Sequence, residues 1–273
     1  MKPAATPRRG NRRAVLRGAL LGGAGAVTAL LGADQVKRWC GWDQPPVSGG
    51  YASAADDLGA VAHGGVQIHY FAPMTEKLVA LTFDDGPAPH WTPDFLDVLA
   101  DTGTPATFFM VGRNVRDHAD LVRDRLAGHE VGNHSWAHRD LATMDLAAIR
   151  NDLQRTHDTI RAELGRTPTL LRPPFGHLGG STILAADAMG YELVLWNNQM
   201  RERRYLKDPG AQAQDIIDSV RPGAIILAHD AGDKRRLVAQ RALHTIITTL
   251  RSRGYTFTTV SDLIATATTH GAA

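Results

Sequence analysis

The sequence predicts a single α/β domain in which seven parallel strands alternate with helices and close into a barrel. The chain has 273 residues, 43% of them hydrophobic, which suits one domain with one core, since single α/β barrels commonly run to 200–250 residues. From Lys77 onward, short β-branched or apolar runs alternate with amphipathic stretches. Strands that alternate with helices form parallel sheets, and seven such units most simply make a barrel.

The predicted elements follow one another without a long interruption. The strand candidates are short and rich in Val, Ile, Leu, Phe and Thr, as buried parallel strands are; they are 78–83, 107–111, a run ending at 131, 169–171, 193–196, 224–228 and 256–260. The helix candidates carry apolar residues three and four positions apart; they are 92–101, 114–127, 146–163, 181–189, 212–220, 234–252 and 261–267.

Residues 1–33 predict an export signal or an N-terminal anchor. Six basic residues fall within the first 17 positions, no acidic residue precedes Asp34, and the 16 residues 18–33 carry no charge. A basic start followed by a short apolar run is typical of export signals, and the paired arginines of 12–17 resemble a bacterial twin-arginine signal. The run is shorter than the ~20 residues that span a bilayer comfortably, but its cleavage signal is poor. A cleaved signal and an uncleaved membrane anchor therefore both remain open.

The charge of the chain is divided between this leader and the rest. The whole chain has 30 basic and 28 acidic residues, a net charge of +2. Without the six leader charges, 24 basic residues face 28 acidic ones, which leaves −4. An acidic domain lacks the basic surface that binds nucleic acid, so we expect no nucleic-acid partner. The one cysteine, Cys40, excludes an internal disulfide and a cysteine-rich zinc module.

The segments around the predicted barrel have no regular pattern. Residues 34–75 contain paired prolines, a Ser-Gly-Gly stretch and many alanines, and they predict a linker that wraps onto the domain near its end. The barrel is expected over 76–266, and 267–273 form a C-terminal tail.

Chemically reactive side chains follow five of the predicted strands. In a parallel barrel the carboxyl ends of all strands open on one face, so these groups are expected to converge there although they lie far apart in the chain. The residues concerned are Asp84-Asp85, His134 with His138, Arg172, Asn197-Asn198-Gln199 and His229-Asp230.

Four of these residues suggest a metal site. His134 and His138 are four positions apart, which on a helical turn would place both imidazoles on one side, within reach of one cation. Asp84 and Asp85 are adjacent and point differently, so that one can bind the metal while the other stays free as a base. Two histidines and one carboxylate leave coordination positions open for water and substrate, as in catalytic zinc sites.

Four motifs together resemble one known family. They are Thr-Phe-Asp-Asp-Gly-Pro at 82–87, His-Ser-Trp-Ala-His at 134–138, Arg-Pro-Pro-Phe-Gly at 172–176 and Leu-Ala-His at 227–229. In order and spacing they resemble the polysaccharide deacetylases with a NodB homology domain, carbohydrate esterase family 4. The resemblance covers roughly 76–266. It implies a distorted, NodB-like (β/α)7 barrel and a metal-dependent removal of N- or O-acetyl groups from a sugar polymer.

The resemblance implies roles for the residues at the metal. Asp85, His134 and His138 correspond to the ligands of the metal, and Asp84 corresponds to the general base that takes a proton from the metal-bound water. A bound divalent ion lowers the pKa of that water toward about 7 and polarises the acetyl carbonyl. Zinc is expected, although cobalt, manganese or nickel also suit carboxylate and imidazole ligands.

The remaining motifs imply the other catalytic roles. Arg172 corresponds to the residue that orients the base and keeps it ionised. The backbone N–H of Phe175 corresponds to a donor for the oxyanion, and Pro174 in the same motif is expected beside the substrate. His229 corresponds to the general acid that protonates the leaving amine.

One motif departs from the family. The family's pattern Asp-x-x-Asp-Trp follows a strand, and here Gln199, Glu202 and Arg203 take the places of the first Asp, the second Asp and the Trp. Glu202 is a possible support for His229, and so is Asp230. Loss of the Trp leaves two alternatives to a polysaccharide deacetylase: a catalytically weakened glycan-binding module, and an esterase of small acetylated substrates.

The function expected from the sequence is thus the removal of acetyl groups, N-acetyl groups foremost, from an acetylated polysaccharide. Peptidoglycan amino sugars are favoured, and a chitin-like glycan is a further option. The leader predicts that the protein is exported, as a secreted, cell-wall-associated or membrane-anchored protein whose only membrane contact would be an uncleaved N-terminus.

Overall fold

The computed structural model describes residues 66–270. The predicted leader, most of the predicted linker, Cys40 and the last three residues lie outside the described residues. Nine parallel strands form one sheet; they are β1 (Ile68–His69), β2 (Leu78–Asp84), β3 (Thr107–Met110), β4 (Glu130–Asn133), β5 (Leu170–Leu171), β6 (Glu192–Val194), β7 (Asn198–Gln199), β8 (Ile225–His229) and β9 (Thr256–Thr258).

Eight α-helices of the described chain accompany the sheet. They are α1 (Thr92–Asp101), α2 (Gly112–His118), α3 (Leu146–Leu164), α4 (Gly180–Met189), α5 (Glu202–Tyr205), α6 (Pro209–Ser219), α7 (Leu237–Ser252) and α8 (Val260–His270). The longest, α3, begins where the Asp145 carboxylate accepts the Ala148 N–H at 2.8 Å and ends at Gly165, whose φ of 64° requires the left-handed region. Such caps satisfy helix-end groups that have no partner within the helix. Among the described residues, no helix has the length and apolar character needed to cross a membrane.

The strand order is β1-β6-β5-β4-β3-β2-β8-β7, and β9 pairs with β2 beside this path. Every strand pair is parallel. In the part of the chain that the structure describes, β1 and β7 end the path without pairing to each other, so the barrel is open and distorted. This confirms the predicted fold class, a distorted (β/α)7 barrel like that of the NodB domains.

The sheet is wrapped around an apolar core. β2 lies at its centre with six of its seven residues buried, which explains its continuous apolar run. The Phe83 ring packs against the rings of Phe95 and Phe108, with centroids 4.9 and 5.1 Å apart. This packing fixes β2, and with it the turn that follows its carboxyl end.

Two short strands extend the seven that the pattern predicts. β1 lies within the end of the predicted linker and pairs with β6, and β7 pairs with β8. Each has two residues, too few for an alternating pattern to be recognised. One helix is shorter than predicted: α2 ends at His118, whose φ of −142° is not helical, and two 3₁₀ turns replace the rest of 114–127.

Candidate active site

The carboxyl ends of the strands open onto a cavity of about 610 Å³. As the sequence predicts, side chains from separate strand ends meet there: Asp84, His134, His138, Phe175, Glu202 and His229 all line the cavity. Arg172, Pro174 and Asp230 are buried behind them, where each can act only through a neighbour or the backbone.

Asp85, His134 and His138 form a cluster that fits a divalent cation. Asp85 Oδ1 lies 3.6 Å from His134 Nε2 and 3.2 Å from His138 Nε2. Ligands that bind one zinc ion at 2.0–2.2 Å in a tetrahedron lie about 3.3–3.6 Å from each other. Asp85 Oδ1 is buried and has no hydrogen-bond partner among the described residues. A buried carboxylate oxygen without a partner is costly, and a cation at this position would satisfy it.

The imidazole of His134 is oriented by its other ring nitrogen. His134 Nδ1 lies 2.7 Å from the carbonyl oxygen of Arg172, and a carbonyl only accepts, which assigns the ring proton to Nδ1. His134 Nε2 then faces Asp85 Oδ1. A ligand histidine held in this way by a carbonyl is the usual arrangement in metal sites.

The loop that carries the two histidines is not the helical turn that the sequence suggests. Ser135 and His138 have φ values of 65° and 54°, a left-handed backbone that interrupts a helix. The Ser135 N–H donates to Asn133 Oδ1 at 2.9 Å, and the His138 N–H donates to Ser135 Oγ at 3.0 Å. These bonds curl the chain after β4 and bring the imidazole centroids to 5.1 Å. The predicted proximity is correct, but the predicted local geometry is wrong.

Charges within the cluster shift its pKa values. Burial acts to raise the pKa of Asp85, but the nearby imidazoles of His134, His229 and His138 outweigh it and lower that pKa. Burial acts to lower the pKa of His134, yet the carboxylates of Asp84 and Asp85 raise it. For His138, burial and the charge of His134 lower the pKa. These directions favour an ionised Asp85 and a neutral His138, the forms that bind a metal.

Asp84 is held by a fully buried arginine. Arg172 Nη1 donates to Asp84 Oδ1 at 2.8 Å and to Thr82 Oγ1 at 2.7 Å. The other nitrogens donate to the carbonyl oxygens of Val194 and Leu195 at 3.1 and 2.9 Å. A buried ion pair is tolerated only when the remaining N–H groups of the guanidinium also have hydrogen-bond acceptors, and the two carbonyl oxygens supply them. Asp84 Oδ2 stays 3.7 Å from His134 Nε2, so one carboxylate oxygen is left on the metal side.

The second oxygen of Asp85 has a partner that no sequence motif marks. Arg236, in the loop between β8 and α7, donates from Nη1 to Asp85 Oδ2 at 2.6 Å. Only the folded barrel brings this loop against the turn after β2. The contact leaves Asp85 Oδ1 alone to face the histidines.

His229 has the support that the sequence suggests for it. Its Nδ1 lies 2.8 Å from Glu202 Oε1, and Glu202, in α5, is only 3% exposed. Burial acts to raise the pKa of Glu202, but the hydrogen bond and charge of His229 lower it. An ionised Glu202 accepts the Nδ1 proton, which leaves Nε2 of His229 available on the cavity side.

Asp230, the other possible support, has a different task. Its Oδ1 accepts the Gly86 N–H at 3.0 Å, and its Oδ2 accepts the Thr92 hydroxyl at 2.7 Å. It therefore ties the turn after β2 to the start of α1 and not to His229. Burial raises the pKa of Asp230 to about 7. A Cβ at Gly86 would lie 2.1 Å from Asp230 Oδ2, so this approach requires glycine.

The Arg-Pro-Pro-Phe-Gly motif shapes the mouth of the cavity. The Phe175 side chain is 57% exposed, and its ring centroid lies 4.7 Å from that of His138. Its φ of 62° is left-handed, so the chain bends sharply at this point and sets the direction of the backbone N–H. Pro174, by contrast, is buried and can contact a substrate only if its neighbours move.

The divergent fourth motif also reaches the cavity. Gln199, Glu202 and Arg203 line it, and so does Trp196. Trp136 is not part of this lining; its ring lies 3.6 Å from the guanidinium carbon of Arg155. Trp196 is therefore the tryptophan that offers an apolar surface at the site.

Comparisons with known proteins agree with the fold and the site. The sequence model described as polysaccharide deacetylase matches residues 72–194. A peptidoglycan-N-acetylglucosamine deacetylase of Bacillus cereus is 36% identical over 196 residues, which is 70% of this chain and 90% of that protein. The crystal structure of the Bc1960 peptidoglycan N-acetylglucosamine deacetylase superposes with a TM-score of 0.69 at 28% identity, over 72% of this chain and 92% of that one.

A further crystal structure contains a metal. A family 4 acetyl xylan esterase from Clostridium thermocellum, in complex with a cobalt ion, has a TM-score of 0.64 at 35% identity, over 69% of this chain and 91% of that one. Fold and site together define a metal-dependent hydrolase that removes acetyl groups from carbohydrates. The chain belongs to the polysaccharide deacetylase family, carbohydrate esterase family 4.

Proposed function

We propose that this deacetylase acts on N-acetylated amino sugars of a cell-wall glycan, with Asp84 as base, His229 as acid and zinc on Asp85, His134 and His138. The observation that carries the proposal is the buried, unpartnered Asp85 Oδ1 beside two imidazole nitrogens. When bound there, the metal supplies an activated water and polarises the acetyl carbonyl.

Asp84 takes the proton of the attacking water. Arg172 occupies its Oδ1, so Oδ2, on the metal side, is the oxygen that accepts the proton. The guanidinium fixes the position of the Asp84 carboxylate through this hydrogen bond. Asp84 is thereby held as a base with one fixed orientation.

His229 gives a proton to the leaving nitrogen. Glu202 fixes its ring through Nδ1, so the donated proton is the one on Nε2. General acid catalysis of this kind typically contributes 10²–10⁴-fold. An amide requires it more than an ester does, because an amine is a poor leaving group until it is protonated.

The bend at Phe175 aims a backbone N–H at the oxyanion. A positioned backbone donor stabilises the developing charge without any change in its own charge state. The exposed Phe175 ring beside His138 and the indole of Trp196 supply apolar faces against which a sugar ring can pack.

Export is part of the proposal. The six basic residues and the uncharged run at the start of the chain would direct the protein across the membrane, to the compartment that holds the glycan. A fusion of residues 1–33 to a reporter that is active only outside the cytoplasm tests this. Replacing Arg12 and Arg13 by lysine should abolish export if the twin-arginine route is used.

Acetate release tests the enzymatic proposal. The protein, with zinc and with chelator, is given chitooligosaccharide, peptidoglycan and acetylxylan. We expect acetate from the amino-sugar substrates, loss of release with chelator, and recovery with zinc. His229→Ala should lose activity, whereas His244→Ala, which removes an exposed histidine of α7, should keep it.

The other outcomes identify the alternatives. Glycan binding without acetate release would indicate the weakened glycan-binding module. Turnover of aryl acetates without any polymer would indicate an esterase of small substrates. Metal analysis of protein purified without chelators decides between zinc and cobalt, manganese or nickel.

A further inference from the structure

We propose that the cavity selects acetylated glycans that carry a carboxylate close to the sugar being deacetylated, and that Arg201, Arg203 and Arg204 bind that carboxylate. This rests on the proposed function, since it specifies the substrate of the same site. All three arginines line the cavity that contains Asp84 and His229.

Within the described part of the chain, these arginines have no acidic partner. The carboxylates of the cavity are already engaged: Asp84 by Arg172, Glu202 by His229, and Asp85 by Arg236. Throughout residues 66–270, no ion pair or hydrogen bond engages the guanidinium groups of the arginine cluster, Arg201, Arg203 and Arg204. The guanidinium of Arg204 lies over the Tyr205 ring at 5.5 Å, and all three side chains are exposed.

The backbone that carries the arginine cluster is held by hydrogen bonds of two buried neighbours, Glu202 and Met200. Glu202, between Arg201 and Arg203, is buried and bonded to His229. The carbonyl of the buried Met200 accepts from Gln212 in α6. The cluster is therefore attached to the same carboxylate that orients the acid histidine, so a ligand held by it is placed in a constant relation to the reacting amide.

The charge and shape of the cluster suit a carboxylate. Residues 66–270 hold 22 basic and 24 acidic residues, a net charge of −2, so the domain as a whole does not attract a negatively charged polymer. Unpaired arginines at the cavity supply local attraction, and the planar guanidinium fork matches a carboxylate in two parallel hydrogen bonds. Arg203 stands where the family has a tryptophan, so an ionic contact takes the place of an apolar one.

The test compares neutral and charged substrates of equal length. The neutral one is the tetramer of N-acetylglucosamine. The charged ones are a tetramer that alternates N-acetylglucosamine with N-acetylmuramic acid, whose lactyl groups end in carboxylates, and an acetylated glucuronoxylan tetramer. Initial rates of acetate release give kcat and KM for each.

The expected result is a preference for a charged substrate that depends on the cluster. In Arg203→Gln/Arg204→Gln the ratio of kcat/KM for charged over neutral substrate should fall roughly tenfold, mainly through KM, because each exposed ion pair contributes a few-fold. Arg201 is left in place so that the double variant changes only the two arginines within α5. Arg150→Gln, which removes an exposed arginine of α3, should leave the ratio unchanged.

A second measurement needs no variant. Raising NaCl from about 0.05 to 0.5 M should increase KM of the unaltered protein for the charged substrate several-fold, but not for the neutral one, because salt screens exposed charges. Whether the muramic or the glucuronic tetramer shows the effect identifies the source of the carboxylate.

Failure of the proposed carboxylate site and failure of the proposed deacetylase function give different results. If the protein deacetylates the neutral tetramer but shows neither a charge preference nor a selective salt effect, the carboxylate site is overturned and the proposed deacetylase stands. If it releases acetate from none of the substrates with zinc present, the proposed function itself fails. Thermal unfolding of the double variant, compared with the unaltered protein, verifies that it is folded.

Discussion

Arg172 makes four hydrogen bonds from a side chain that is entirely buried: to Asp84, Thr82, Val194 and Leu195. Burial lowers the pKa of Arg172, while the charge of Asp84 and its hydrogen bond act to raise it. Removing one partner of a buried ion pair lowers the free energy of unfolding much more than replacing both partners by neutral residues does.

This predicts non-additive stability effects. Arg172→Met leaves the Asp84 charge buried without a partner and should lower the free energy of unfolding by about 3–5 kcal/mol. The double variant Asp84→Asn/Arg172→Met should recover a large part of that loss. Urea unfolding of chelator-treated protein measures both. If the losses of unfolding free energy in the single variants Asp84→Asn and Arg172→Met add up to the loss in the double variant to within ~0.5 kcal/mol, the two residues are not coupled as described.

Glu202 and Glu192 form a matched pair for a second prediction. Both hold a histidine at 2.8 Å, Glu202 at the cavity with His229 and Glu192 at the sheet edge with His69. Glu202→Gln removes the charge that orients the proposed acid and should lower kcat by up to about 10⁴-fold with little change in KM, as loss of an orienting carboxylate does elsewhere. Glu192→Gln should leave kcat unchanged. Equal effects would contradict the assigned role of Glu202.

At the scale of single residues, the sequence motifs predict which side chains meet at the site, namely Asp85 with His134 and His138, and Asp84 with Arg172, because these depend on chemical type and order along the chain. They do not predict Arg236 on Asp85, since that contact joins two loops that only the closed sheet brings together. The task of Asp230 is also hidden, because its position next to His229 suggests a contact that its burial directs elsewhere.

Among elements, the loop after β8 is linked to the turn after β2 by the Asp230 carboxyl, whose pKa is raised by burial to about 7. A raised folded-state pKa means that the folded protein holds this proton more tightly than the unfolded chain. The stabilising contribution is complete below the unfolded-state pKa, near 3.8. It is lost as the pH rises toward 7.

Asp230→Asn should therefore change how stability depends on pH. The amide mimics the protonated acid and does not titrate, so the variant avoids this loss. Relative to the unaltered protein, its free energy of unfolding should rise by roughly 3–4 kcal/mol between pH 4 and 7. Denaturant unfolding of chelator-treated protein at several pH values measures the difference. A difference that stays constant with pH would refute the raised pKa.

The limits of the sequence pattern are clearest in the shortest elements. β2 and α3 are long enough for burial to leave a regular pattern, and both were predicted to within a residue or two. β1 and β7 have two residues each, and α5 has four. Their existence depends on the partner strand or the buried Glu202, not on local preference. The left-handed residues of the His134–His138 loop escape prediction for another reason: local hydrogen bonds from backbone N–H groups to the Asn133 and Ser135 side chains determine them, and a pattern of apolar residues does not register such bonds.

For the whole molecule, the metal should contribute to folding stability as well as to chemistry. A ligand that binds only the folded state adds about 2.7 kcal/mol at a hundred times its Kd, or roughly 5–10 °C in Tm for a domain of this size. Scanning calorimetry with chelator and with added zinc should show that shift. His138→Ala should abolish it, and His244→Ala should retain it. A Tm unaffected by either treatment would contradict a metal on these ligands.

The order of the site along the chain has a consequence for synthesis. Asp85, His134 and His138 all precede α3, whereas Glu202 and His229 belong to the last third of the sequence. β8 can pair beside β2 only after nearly the whole chain has emerged, and pairings so distant in sequence form slowly. During synthesis, the residues proposed as cation ligands are therefore made well before the residue proposed as the proton donor.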